Sequence, residues 1–147
     1  MTDSDAGTTG ALDSAFRADV LRGLQSHPRA IPARWLYDHA GSGLFEDITD
    51  LPEYYPTRTE RGLLDAHCPE VAEIAGTGHA VVEFGSGSSV KTPILLRAVK
   101  PAVYVPIDIS GEFLRESNAV LAKDFPDLDI APVEADFMHP VEVPEAA

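Results

Sequence analysis

Near residue 76 the chain changes its grammar, and that change restricts the fold more than any other feature. Ala80 to Phe84 (AVVEF) is a short apolar run that stops at the bend Gly85-Ser86-Gly87-Ser88-Ser89, after which Val90, Ile94, Leu95 and Val99 recur at helical spacing. A second run, Ala102 to Ile109 (AVYVPIDI), is followed by a helical stretch from Phe113 to Phe125. A third, Leu128 to Val133, precedes Glu134-Ala135-Asp136-Phe137. Short apolar strands alternating with helices imply βαβ units, a parallel sheet and right-handed crossovers. The expected class is α/β, a doubly wound parallel sheet preceded by helices. Three strands leave one sheet edge and much of both faces uncovered, so the sheet is expected to be incomplete.

The first 75 residues read differently. Residues 1–12 hold almost no large apolar side chain and are expected to form a loose tail. Phe16, Val20, Leu21 and Leu24 predict a helix from Ser14 that ends before His27-Pro28. Leu44, Phe45, Ile48 and Leu51 fit one face of a short helix between a Gly-Ser-Gly turn and Pro52. Pro52 and Pro56 bracket Glu53-Tyr54-Tyr55, predicting an extended loop that holds two aromatic rings. Thr57 with Glu60 reads as a capping box opening a further helix. The resulting organisation is a tail over 1–12, a helical segment over 13–75 and the βαβ region over 76–147.

Charge and composition narrow the partners. With 11 lysines and arginines against 24 aspartates and glutamates, the formal charge of −13 repels phosphate backbones and anionic lipid surfaces. Nucleic acid and membrane are therefore not expected. Cys68 is the single cysteine, which excludes an intrachain disulfide and a thiolate metal cage. The five histidines lack HxxxH or HExxH spacing, so no structural metal is expected. The acidic, polar first residues do not resemble a secretory signal, and no apolar run approaches the ~20 residues of a membrane span, leaving the cytoplasm as the expected location.

In a doubly wound sheet, ligands bind beyond the carboxyl ends of the strands. Gly85 and Gly87 let the backbone turn sharply at that end of the first strand, and Ser89 is a plausible N-cap for the helix that follows. Asp108 ends the second strand, where a carboxylate can accept from both ribose hydroxyls of an adenosine cofactor. A dinucleotide fingerprint requires a third glycine, and Val90 stands in its place. Glu83, two residues before the bend, suits a cationic cofactor, so S-adenosylmethionine is preferred to NAD. Lys91 could meet the cofactor's carboxylate or simply be solvated. Asp136 and Phe137 follow the third strand, where a carboxylate can accept from an adenine amino group while a ring packs on the base; an ordinary acidic turn with one core aromatic is the alternative.

WLYDHAGSGLFEDITDLPEYYPTRTE together with VVEFGSGSSVKT, VPIDIS and EADF closely resembles the histidine-specific, S-adenosylmethionine-dependent methyltransferases of ergothioneine biosynthesis, from about Phe16 to about Pro140. The resemblance implies a Rossmann-type methyltransferase domain and a substrate domain built from the N-terminal helices and a later insertion. It implies that Tyr37, Gly85, Lys91, Asp108, Asp136 and Phe137 line the cofactor site. Tyr54 would face the substrate histidine, with Tyr55 as the adjacent alternative. The implied reaction is repeated in-line methyl transfer to the α-amine, with no metal and no covalent nucleophile. Family chains continue beyond the third strand, so this chain corresponds to their N-terminal portion, a monomer if complete or one half completed by a second chain. A non-catalytic cofactor-binding module and an NAD-dependent dehydrogenase half-domain are the alternatives.

Overall fold

The computed structural model describes residues 13–145, so the tail expected over 1–12 lies outside the described residues. The chain divides into two compact units, one ending at Trp35 and one beginning at Leu36. In the first, α1 (Ser14–Gln25) starts where Asp13 caps the backbone N–H groups of Ala15 and Phe16 at 2.8 and 3.1 Å. The periodic apolar positions are not what this helix buries. Phe16, Leu21 and Leu24 remain substantially exposed, while Asp19 is buried. Its carboxylate accepts from Arg34 Nη2 at 2.6 Å and Trp35 Nε1 at 2.9 Å, and the Trp35 ring packs edge-on against Phe16 at 5.2 Å. An acid therefore organises this unit, tying α1 to the short 3-10 turn Ala33–Leu36.

In the second unit the first two helices begin earlier than their sequence signals suggested. α2 (His39–Thr49) is capped by Asp38, whose side chain accepts from Gly41 N–H at 2.7 Å, so Gly41-Ser42-Gly43 lies inside the helix rather than forming a turn before it. The Pro52–Pro56 segment is turned, not extended. Tyr54 N–H bonds to Leu51 C=O, Tyr55 N–H bonds to Glu53 C=O, and Tyr55 has helical dihedrals (φ −68°, ψ −22°). Pro56 opens α3 (Pro56–Ala75), using the first-turn position where a missing N–H costs nothing. Thr57 is consequently already helical and caps nothing, and the capping box is not formed.

β1 (Ala80–Phe84), α4 (Thr92–Val99), β2 (Val103–Asp108) and α5 (Gly111–Asp124) follow the alternating pattern read from the sequence. The third run is split into β3 (Asp129–Ile130) and β4 (Val133–Glu134), both parallel to β2, which also pairs in parallel with β1. The two short ladders share one register, which sets Pro106 of β2 opposite Pro132. Neither proline has an N–H to donate, and the ladder is interrupted there.

β2 is the core strand. Val103, Val105 and Ile107 project to one face with Ala80, Ala131, Val133 and Val141, while Tyr104 on the other packs with Leu96 of α4 and Leu121 of α5. This period-two division is what a strand covered on both faces requires. β1, with a partner on one side among the described residues, leaves Val82 and Phe84 exposed. No helix among the described residues is long and apolar enough to cross a membrane.

The Asp19 contacts have a pH signature. Hydrogen bonds from Trp35 and Arg34 hold its carboxyl below its ordinary value of 3.8. The stabilisation is complete above that value and is lost as pH falls through the lowered one. Thermal unfolding of Asp19→Asn is expected to show a lower midpoint at neutral pH and a flatter dependence below about pH 4 than wild type. Parallel profiles for the two proteins would contradict this role.

Candidate functional site

The glycine bend is fastened to the carboxyl end of β2 by three consecutive backbone donors. Gly85 and Ser86 N–H groups reach the Ile107 carbonyl at 2.8 and 3.2 Å, and Gly87 N–H reaches Asp108 Oδ2 at 2.9 Å. The other Asp108 oxygen accepts from Ser110 N–H at 3.0 Å, and the Asp108 carbonyl accepts from Ala135 N–H of the segment after β4. One residue at a strand end thus fixes the bend, the entry to α5 and the adjoining third-strand segment. Gly87 has φ +52°, and a Cβ there would project into open space; Gly85 has φ +72° and lies beside the Phe137 ring. These left-handed conformations are where glycine is needed.

Beneath the bend lies a polar network. Glu83 Oε2 accepts from Tyr104 OH at 2.5 Å and from Thr92 Oγ1 at 2.9 Å, and Tyr104 OH is 3.5 Å from Ser89 Oγ. Burial and the Glu83 charge push the Tyr104 phenol well above its ordinary value of 10, so it remains a donor at physiological pH. Ser89 has φ +54° and is buried. It does not cap α4; Lys91 occupies that position without a side-chain capping bond, and Pro93 follows in the first turn.

A cavity of about 480 Å³ opens above the bend, within the range of small-molecule sites. Its lining includes Tyr37, Tyr54, Gly85, Lys91, Asp108 and Phe137. Six of the seven residues that the resemblance assigns to the cofactor and substrate sites therefore meet at one cavity. Asp136 is not in its lining: its carboxylate accepts from Met138 N–H at 3.0 Å in the turn after β4. Tyr55 is exposed and outside the lining, whereas the Tyr54 ring packs edge-on against Phe45 at 6.1 Å. Lys91 forms an ion pair with Glu60 of α3. Ser86 Oγ, in the cavity wall, is buried and has no hydrogen-bond partner among the described residues.

The sequence pattern that defines the histidine-specific, SAM-dependent methyltransferases matches residues 16–146. The chain belongs to this family. Among curated relatives, a histidine N-alpha-methyltransferase of Mycolicibacterium smegmatis is 42% identical over 134 residues, covering 86% of this chain and 41% of that protein. A histidine N-alpha-methyltransferase of Mycobacterium tuberculosis is 41% identical, covering 88% of this chain and 42% of its own. Ergothioneine biosynthesis protein 1 of Neurospora crassa is 38% identical over 96 residues, 63% of this chain and 11% of that protein. The chain spans about two fifths of the bacterial relatives.

Several groups at or near the cavity were not singled out from the sequence. Glu60 and Phe113 line the cavity from α3 and α5, and Tyr104 was read only as part of an apolar run. His39 of α2 lies 3.3 Å from Glu116 of α5, and with Glu112 their ligand-type atoms gather within 4.8 Å. Histidine spacing along the chain could not reveal this exposed trio, because it is assembled from two helices. Tyr104→Phe removes a charged hydrogen bond beneath the bend and is expected to cost about 1.5–3 kcal/mol in urea unfolding. An unchanged midpoint and slope would show that the network contributes nothing to stability.

Proposed function

We propose that this chain is the cofactor-binding, N-terminal portion of an S-adenosylmethionine-dependent methyltransferase acting on the α-amine of L-histidine. The observation that carries the reading is the Asp108 carboxylate bonded to the Gly87 N–H at the edge of a cavity also lined by Lys91, Phe137 and Tyr54. The residues fit such a cofactor. The bend presents open space where a Cβ at Gly87 would stand, and Glu83 and Asp108 surround the cavity with the negative charge a cationic ligand favours. When bound, S-adenosylmethionine supplies a methyl group from its sulfonium to an attacking amine.

The chain's own residues then have distinct tasks. Asp108, oriented by Gly87 and Ser110, retains acceptor capacity for ribose hydroxyls, since each carboxylate oxygen accepts more than one hydrogen bond. Phe137 offers a ring face beside Gly85 for the base, and Asp136 fixes the turn that carries Phe137. Tyr37 and Lys91 would complete the cofactor side. Tyr54 would hold the substrate imidazole, with its ring braced by Phe45. Such a site works by positioning: aligning the free amine with the methyl carbon removes much of the entropic barrier. Histidine as acceptor rests on the names of the relatives and on the family, and whatever completes the acceptor site would come from residues beyond the two fifths shared with them.

Two measurements test this reading. Calorimetry with S-adenosylmethionine is expected to show binding that Asp108→Ala weakens by about 1–3 kcal/mol, the cost of leaving hydrogen-bonding groups unpaired; unchanged affinity would remove Asp108 from the site. Incubation with labelled S-adenosylmethionine and histidine separates an enzyme from a binding module. Methylhistidine supports catalysis by this chain, cofactor binding without product supports a cofactor-binding portion only, and NADH binding without S-adenosylmethionine binding overturns the proposal.

A further inference from the structure

Lys91 and Glu60 face each other across the cavity wall. Lys91 stands at the N-terminal end of α4, where the helix dipole disfavours a cation, and Glu60, in the opening turns of α3, neutralises it. Both side chains are partly exposed, at 39% and 53%, so the pair is accessible to a ligand in the cavity that both residues line. The pair joins α4, which follows the glycine bend, to α3, which begins immediately after Tyr54-Tyr55. It is therefore a link between the two ends of the site.

We propose that Glu60 is a positioning residue that holds Lys91 as a placeholder, to be displaced by the carboxylate of an amino-acid-bearing nucleoside. This rests on the cofactor reading above, and deepens it by naming the group that competes with the ligand. A ligand carboxylate offers Lys91 the same chemistry that Glu60 offers, and one ammonium cannot neutralise both at close range. Binding therefore exchanges an internal ion pair for an external one and frees the first turns of α3. A nucleoside without a carboxylate leaves the pair intact. The exchange makes affinity for the amino-acid portion weaker than Lys91 alone would give, and couples occupancy of the cofactor side to the helix that follows the tyrosine pair.

The test compares S-adenosylhomocysteine with 5′-methylthioadenosine, which shares the adenosine and thioether but has no carboxylate. Calorimetry is run on the full 147-residue chain. Because exposed ion pairs are weak, Glu60→Gln is expected to tighten S-adenosylhomocysteine about two- to fivefold and leave 5′-methylthioadenosine unchanged. Glu60→Ala should act in the same direction, and Lys91→Met should weaken S-adenosylhomocysteine alone. A merely structural role for Glu60 would move both ligands together, and that result, or a loss or no change of S-adenosylhomocysteine affinity in Glu60→Gln, overturns the proposal. If wild type binds both nucleosides and Lys91→Met alters neither, the exchange fails while the cofactor reading survives. If wild type binds neither, both fail.

Discussion

The Asp108 carboxylate is the interaction on which the rest of the second unit depends. It stands at the end of the strand with the most deeply buried residues, and its two oxygens and its carbonyl hold three separate segments: the glycine bend, the start of α5 and the chain after β4. A side chain that accepts from two backbone N–H groups is oriented before any ligand arrives. Preorganisation of this kind reduces the ordering that binding would otherwise require. The bend is placed by the sheet core through Ile107, so the hydrophobic burial of β2 and the geometry of the cavity are parts of one arrangement.

Electrostatics point the same way. The chain carries a large negative charge, and the cavity gathers carboxylates from α2, α3, β1 and β2 around a single paired lysine. Such a surface repels phosphates and attracts amines and sulfonium groups. Glu83 is kept in place by two hydroxyl donors, so its charge is held beneath the bend rather than left unpaired. The family is SAM-dependent, and this charge distribution is consistent with the cationic, phosphate-free cofactor proposed above.

Where the sequence was legible, the determining forces were local. The β1–bend–α4–β2 order, the two glycines and the placement of Asp108 followed from period and turn chemistry within a few residues. The misreadings have equally definite causes. Thr57 and Glu60 match a capping box, but Pro56 at the helix start and Tyr55 before it set the N-terminus two residues earlier. Ser89 looked like a cap because it precedes a helical stripe, yet its left-handed backbone and burial belong to the bend. The third strand was one apolar run on paper, and two facing prolines divide it in space. Glu60 with Lys91, 31 residues apart, and Tyr104 with Glu83, 21 apart, are pairs that only the tertiary fold brings together.

The most direct test of the account is a crystal structure of the chain with S-adenosylhomocysteine. Both ribose hydroxyls are expected within hydrogen-bonding distance of the Asp108 carboxylate, with the adenine ring against Phe137 and the bend unchanged. A nucleoside bound elsewhere on the surface, with Asp108 still engaged only by Gly87 and Ser110, would contradict it.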